Sequence, residues 1–194
     1  MKNRSATVII GLILIASLFS SCNGGNMFKK YINVEKLELF LDDRKQAKSR
    51  LDELINAIVN EDRNKIKSMF ADSVAAKVED FDAEIDCLID YYQGNMLSYD
   101  DWGGPDGDIT WDNGSKVEFM YSSFDIKTDK DDFRLAVTDC VRDSDNPQNV
   151  GLHSLYIIRK DDDTDPDFAY GNFDEPVLGI NIGIKNNLPK EEVE

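Results

Sequence analysis

Residues 116–122, Lys-Val-Glu-Phe-Met-Tyr-Ser, decide the fold class because their side chains alternate. Val117, Phe119 and Tyr121 fall on one side of an extended chain, and the residues between them fall on the other. A period of two residues is typical of a β-strand, and it resumes at residues 133–141 after a polar turn. The second half of the chain therefore predicts a β-sheet.

The first half of the chain carries the period of an α-helix. Residues 43–60 give the clearest helix, because apolar residues recur there every three or four positions. Asp62 is placed to cap a second, short helix, and a third helical pattern runs from Phe81 to Gln93, with Gly94 as the residue that ends it. The apolar face of the first helix comprises Leu51, Leu54, Ile55, Ile58 and Val59, and an earlier group, Leu37, Phe40 and Leu41, either extends this helix or forms a separate turn.

Turn-forming residues divide the second half of the chain into strands. Residues 99–107 are rich in glycine and aspartate and predict a loop, while Asp112-Asn113-Gly114 predicts a hairpin because Asn-Gly tolerates the positive φ angles of a tight turn. Further strands are predicted at residues 152–159 and 177–184. Helices followed by such a meander predict an α+β fold, with N-terminal helices packed on a curved antiparallel sheet.

The first residues have the order of an export signal. Two cations precede an apolar run, residues 8–19, that is shorter than the roughly 20 residues of a membrane-spanning helix. Two serines then stand directly before Cys22. This order resembles the lipobox of bacterial lipoproteins, although Phe19 occupies a position where that pattern prefers leucine or valine.

The lipobox resemblance implies a signal peptide at residues 1–21 and lipid attachment at Cys22. Two acyl chains suffice for stable anchoring where one does not. We therefore expect a lipidated tether at residues 22–42, a single α+β domain at 43–187 and a disordered tail at 188–194, held at the extracytoplasmic face of the cell membrane. The alternative is an ordinary secreted protein in which the cysteine near the cleavage point is incidental.

The composition is strongly acidic and limits the possible partners. The 194 residues include 38 Asp and Glu against 22 Lys and Arg, for a formal charge of −16. A nucleic-acid binder needs a basic face, so this class is excluded. A charged partner is expected to be a basic protein, although acidity also serves to keep an exported protein soluble.

The residues that could carry chemistry give a weak signal. Export permits a disulfide between Cys87 and Cys140, but two buried free thiols are the favoured interpretation. His153 is the only histidine, and no hydrolase, metalloprotease or phosphate-loop motif accompanies it. The acidic run at residues 161–167 fails the spacing of an EF-hand and is interpreted as a solvated turn. We predict no catalytic residue, metal site or cofactor.

Aromatic residues cluster in the sequence around the change from helix to strand. Core packing explains most such residues, but aromatic walls also suit a pocket between helices and the concave face of a sheet. The candidate pocket-lining residues are Tyr91, Tyr92, Trp111, Phe119 and Tyr121.

Two resemblances bear on most of the mature chain. The segments 54–58 and 66–70, followed by the meander, resemble the nuclear transport factor two-like, or cystatin-like, α+β cone. Residues 149–158, 163–170 and 179–182 resemble an uncharacterised lipoprotein family of Gram-positive anaerobes, a domain of unknown function. The cone fold hosts enzymes and binding modules alike, so the resemblance implies a cavity but no particular chemistry.

The sequence therefore predicts a membrane-anchored extracytoplasmic lipoprotein that acts as a non-catalytic ligand- or peptide-binding module. One alternative is an acidic protein-interaction or inhibitory role toward a basic partner. Another is an isomerase- or hydrolase-like enzyme that uses the cone pocket, which requires an acid and a tyrosine or histidine to converge there. The small ligand or protein partner, the oligomeric state and the physiological process are left open.

Overall fold

A computed structural model describes residues 34–163 and 177–183, with side chains from Leu41 onward. The chain divides into two compact units, Met1–Asp42 and Asp43–Glu194. The strands and most of the helical residues described belong to the second unit. The predicted signal peptide, Cys22, the tail and most of the acidic run at 161–167 lie outside the described residues.

Four helices of the described part of the chain precede the sheet, and the predicted helical periods are confirmed. Asp62 Oδ1 accepts a hydrogen bond from Lys65 N at 2.9 Å, as expected of a cap. The first helix is continuous, so the apolar group at residues 37–41 extends it and does not form a separate turn. None of the described helices is long and apolar enough to cross a membrane. The helices are α1 (Val34–Val59), α2 (Arg63–Met69), α3 (Asp72–Ala75) and α4 (Phe81–Tyr91).

Helix α4 ends earlier than the sequence predicts. Its last residue is Tyr91, and Tyr92 is already extended while its N–H bonds Leu88 O. Gly94 does not end the helix but turns the chain at a φ of +90°, where an added Cβ would clash with Asp129 Oδ1 and lie 3.1 Å from Lys130 N. Glycine is required there because the backbone passes against the turn between two strands.

Six strands form one curved, open sheet, which confirms the α+β class. Along the sheet the order is β1, β3, β4, β5 and β6, and β2 pairs with β3 beside β1. β1 pairs with the C-terminal end of β3 and β2 with its N-terminal end, so both lie along one edge. The strands are β1 (Met96–Asp100), β2 (Asp106–Asp112), β3 (Ser115–Thr128), β4 (Asp132–Asp143), β5 (Gly151–Arg159) and β6 (Gly179–Ile182).

The sheet differs from the prediction in two respects. The end of β1, Tyr99 and Asp100, and the start of β2, Asp106 and Gly107, occupy residues predicted as a loop, because exposed strands carry little of the apolar alternation that identifies buried ones. The last strand pairs with β5 in the parallel direction, so the sheet is mixed and not purely antiparallel. The residues of a short strand do not themselves encode its direction.

The hydrophobic core lies between the helices and one face of the sheet. In β3 this face is formed by Met120, Phe124 and Ile126, which alternate with the residues singled out first in the sequence. Phe70 and Phe81 make an edge-to-face contact with ring centroids 4.9 Å apart on the helical side. The largest fully buried side chains include Leu51, Leu54, Ile58, Ile66, Ile85, Leu88, Phe133, Leu135, Leu155 and Ile157.

The segment between α2 and α3 joins the sheet through a very close backbone approach. Ala71 N donates to Leu152 O at 3.0 Å, and Phe70 forms a parallel bridge with Leu152. Gly151 has a φ of +132°, and a Cβ on it would lie 2.7 Å from Ala71 N. Glycine is therefore needed for both conformation and space.

We expect Gly151→Ala to lower the free energy of unfolding by about 1–3 kcal/mol, since it adds a backbone clash to a strained φ. Chemical denaturation of the variant checks this. Gly107→Ala is the matched control, because its nearest atom would be Phe119 O at an ordinary 3.6 Å. Equal stability of the two variants would contradict the proposed role of Gly151.

Candidate functional site

The turn between β2 and β3 sets the geometry of the sheet edge. Asn113 and Gly114 both have positive φ, 47° and 92°, as a two-residue type I′ hairpin requires. Asp112 pairs with Ser115 across this turn. The predicted hairpin is thus confirmed, and the residues that flank the turn exchange both of their backbone hydrogen bonds.

The register of this hairpin fixes which backbone groups of β2 face outward. In an antiparallel pair the bonding residues alternate, so Thr110 and Asp108 also bond β3, while Ile109 and Trp111 direct N–H and C=O away from it. A hydrogen bond on the other side of β3 is consistent with this register. Ser144 N donates to Lys116 O at 3.0 Å, so the Lys116 carbonyl faces β4 and not Trp111 of β2.

β2 is an open edge strand, and all seven of its residues are exposed. Within the described chain its sheet neighbour is β3, and no strand covers its other side. Unpaired N–H and C=O groups in an extended conformation form a template for another strand. We call residues 106–112, with their outward backbone groups, the β2 edge.

The side chains of the β2 edge divide by face. Asp106, Asp108 and Asp112 lie on the side of the sheet that carries Phe119 and Tyr121. Among the ion pairs of the described residues none involves these three aspartates. The pKa of Tyr121 is raised by partial burial and by the charges of Asp108 and Asp106, so its hydroxyl stays protonated.

The opposite face of the β2 edge is apolar and exposed. Ile109 is 44% exposed and Trp111 68% exposed. The Lys116 ammonium lies 5.5 Å from the Trp111 ring centroid and pairs with Glu118 at 2.5 Å. This face therefore offers apolar surface, and the charge of Lys116 beside it is balanced by Glu118.

The structure distributes the five predicted pocket residues over three places. Tyr92 stacks on Phe133 in the core, with ring centroids 4.9 Å apart, and Tyr91 meets the same ring edge-on at 6.0 Å. Phe119 and Tyr121 stack on each other at 6.4 Å on the other face of the sheet. Trp111 lies on the β2 edge. Tyr91 and Tyr92 are therefore not close to the three predicted aromatic residues of the strands, and the five residues do not line one pocket.

The α4 tyrosines serve the packing of the domain. Tyr91 Oη accepts a hydrogen bond from Arg159 N at 2.9 Å. Tyr92 is buried with its hydroxyl unpartnered, and burial, with a smaller contribution from Asp129, raises its pKa to about 12. A hydroxyl of that pKa does not act as a base near neutral pH.

A buried ion pair occupies the core side of β4. Asp139 is fully buried, and its Oδ2 accepts a hydrogen bond from Arg50 Nε at 2.8 Å. Arg50 also lies 3.8 Å from Glu53, which pairs with Lys65. The carboxylate is therefore committed to a structural network, because a buried charge needs such a partner.

His153 does not complete a catalytic arrangement in the described part of the chain. Its Nε2 lies 2.8 Å from Asn149 O, and its ring meets Phe119 edge-on at 5.2 Å. Asp139 instead packs with the core on the opposite face of the sheet. The convergence of acid with tyrosine or histidine that an enzyme would need is not formed by these residues.

The two cysteines are free, as the favoured interpretation held, but only one is buried. Cys140 lies inside the sheet, and burial raises the pKa of its thiol. Cys87 is exposed, so its predicted burial is wrong: it lies off the face of α4 formed by Phe81, Ile85 and Leu88. The described residues contain no group of three potential metal ligands.

Two described clefts are polar and shallow. One of about 350 Å³ is formed by residues 127–132 with Arg159 and Asp161. Another of about 280 Å³ lies between Ile58, Tyr92 and Lys130. Small-molecule sites are usually deeper and mainly apolar, so neither has the form of a specific pocket.

Residues 53–160 match the family described as Domain of unknown function (DUF5104). The chain belongs to this family. The match includes the hairpin, the β2 edge and the Arg50-paired Asp139, although Arg50 itself precedes it. No curated protein matches the sequence.

Sequence reasoning missed the β2 edge because its first two residues fell in the predicted loop at 99–107 and the rest were not assigned to a strand. Trp111 and Tyr121 were singled out for their aromatic character, not for their place on an edge. The signal that could have located the edge is the hairpin turn itself, since a strand of equal length must precede Asn113-Gly114 to pair with the strand that follows.

We expect Arg50→Ala to lower the free energy of unfolding by about 3–5 kcal/mol, because it leaves Asp139 charged and buried without a partner. Replacing both residues together, Arg50→Met with Asp139→Leu, should restore most of the loss. Urea denaturation compares these variants with Lys48→Ala, which removes an exposed ion pair to Asp52 and should change little. If Arg50→Ala matched Lys48→Ala, the pair would not stabilise the core.

Proposed function

We propose that the protein is a non-catalytic binding module that takes an extended polypeptide segment at its β2 edge. The single observation that carries the proposal is a seven-residue strand, exposed throughout, whose Ile109 and Trp111 backbone groups have no strand to bond among the described residues. Addition of a strand to such an edge is a recurrent mode of peptide recognition.

The packing of the sheet face covered by the helices favours a binding site at the edge over one in an interior pocket. That face is filled by buried apolar side chains around Phe133, and the buried carboxylate of Asp139 accepts a hydrogen bond from Arg50. The resemblance to a nuclear transport factor two-like or cystatin-like cone remains part of the proposal, supported by helices on one face of a curved sheet. In this account the cone is a rigid support for the edge.

The proposed location is the extracytoplasmic face of the membrane, with a lipid at Cys22 as the anchor. The support is the order of two cations, an apolar run and two serines before the cysteine. A tethered module that has lost Lys2 and Arg4 with its signal peptide would carry a charge of −18 and would be repelled from anionic lipid headgroups, which favours a domain that projects toward soluble partners.

An isomerase- or hydrolase-like activity is the weaker alternative. It would need an acid to converge with a tyrosine or histidine in a pocket, whereas Tyr92 stacks in the core and His153 contacts Phe119. An inhibitory role toward a basic protein is compatible with the β2 edge, because inhibition would be one consequence of binding.

We expect Ile109→Pro to abolish binding of strand-forming peptides without unfolding the domain, because proline removes an N–H that does not bond β3. Immobilised heptapeptides of alternating polar and apolar residues, spanning a range of charge, serve as the probe. Ile109→Val keeps the N–H and is the matched control. The proposal fails if the full chain and both variants retain the same peptides equally.

We expect the full-length protein to partition into detergent and Cys22→Ser to remain in the aqueous phase, since two or more acyl chains are lost with the thiol. Phase separation of membrane extracts followed by immunoblotting measures this. Cys87→Ser is the control for loss of an exposed thiol. Identical partitioning of wild type and Cys22→Ser would remove the lipid anchor.

A further inference from the structure

We infer that the segment bound at the β2 edge is a cationic amphipathic strand, in which lysine or arginine alternates with apolar residues. This inference rests on the proposed function and specifies its partner. The geometry points to it through the separation of charge and apolar surface between the two faces of β2.

The carboxylates of the β2 edge differ from others in the sheet because they lack cationic partners. On β3, Asp125 accepts hydrogen bonds from Arg134 at 2.9 Å and from Lys160 at 2.8 Å. Asp108 and Asp112 have no ion pair among the described residues, and Asp106 accepts the N–H of its neighbour Gly107 at 3.0 Å. The edge thus carries three uncompensated negative charges on one face.

The backbone register places these charges where a partner strand comes closest. Because Ile109 and Trp111 direct their backbone groups outward, they would form the hydrogen-bonded pairs with an added strand. Asp108 and Asp112 would then occupy the non-hydrogen-bonded pairs, in which Cα atoms approach to about 4.5 Å and side chains meet. A lysine or arginine opposite each of them would form a cross-strand ion pair.

The other face of the added strand is specified by the exposed apolar residues. Ile109 and Trp111 project from the side of β2 opposite the carboxylates. Residues directly opposite them in the partner would lie on that same face, where burial favours apolar side chains. The partner is therefore charged at every second position and apolar between.

A second copy of this chain is a poor occupant. Antiparallel pairing of two β2 strands about Ile109 would set Asp106 of each copy directly opposite Asp112 of the other. Like charges in directly opposed positions are destabilising, and charged edge strands are a known safeguard against self-association. The same repulsion disfavours an anionic segment.

The test measures binding of three labelled heptapeptides to the full chain by fluorescence anisotropy. In each peptide an apolar residue, valine or isoleucine, alternates with a polar one. The polar residue is lysine in the first peptide, glutamine in the second and glutamate in the third. The lysine peptide should bind at least about tenfold more tightly than the glutamine peptide, as expected for two or three cross-strand ion pairs. Raising NaCl from about 0.05 to about 0.5 M should remove most of that difference.

Charge reversal at the edge provides the matched comparison. Asp108→Lys should weaken binding of the lysine peptide and strengthen binding of the glutamate peptide. Asp90→Lys changes the net charge by the same amount at an exposed position near the C-terminal end of α4, and it should alter the binding of neither peptide. Both substitutions are at exposed positions without ion pairs among the described residues, so folding should be retained.

The outcomes separate this inference from the proposed function. If lysine and glutamine peptides bound equally and Ile109→Pro abolished both, the β2 edge would bind strands but the cationic partner would be wrong. If Asp90→Lys weakened the lysine peptide as much as Asp108→Lys, net charge and not the edge would be responsible, which also overturns the inference. If none of the peptides bound, or if Ile109→Pro retained them all, both the inference and the proposed function would fail.

Discussion

The two-residue turn at Asn113-Gly114 is the constraint on which the proposed recognition surface depends. Two consecutive residues with positive φ force the type I′ geometry, and that geometry makes Asp112 and Ser115 a doubly hydrogen-bonded pair. Every other pair of the hairpin follows from this one. Moving the register by a single residue would turn the outward backbone groups of Ile109 and Trp111 toward β3 and exchange the charged and apolar faces of β2.

The rest of the domain supplies a rigid base for that hairpin. β3 is 14 residues long and is bonded along its other side by β4, whose core face packs under the helices. A buried ion pair between Arg50 and Asp139 ties α1 to β4. The helix side of the sheet is filled by its own side chains, whereas all seven residues of β2 are exposed.

The sequence predicted buried elements better than exposed ones. The helical period around Leu51 and Leu54, the cap at Asp62 and the hairpin at Asn113-Gly114 each have a local physical cause and are confirmed. β1 was missed because its pairing with β3 is a tertiary event that leaves little apolar alternation in five largely exposed residues. Cys87 was expected inside because its residue type is often buried, but its position on α4 points it outward.

The candidate site was predictable only in part. Trp111 and Tyr121 were identified as aromatic residues near a turn, yet the alternation of β3 puts Tyr121 on the face away from the helices and the hairpin puts Trp111 at the edge. Which face of an amphipathic strand meets the helices depends on the summed burial of whole faces, and here Phe124 and Ile126 outweigh Phe119 and Tyr121. The lipid anchor at Cys22, by contrast, is a hypothesis from sequence alone.

Residue-resolved amide hydrogen exchange along β2 tests the central claim most directly. If the edge is formed and open as described, the N–H groups of Ile109 and Trp111 exchange quickly, while those of Asp108, Thr110 and Asp112, which bond β3, exchange slowly. Uniform exchange across these five residues, or slow exchange at Ile109 and Trp111, would contradict an open β2 edge.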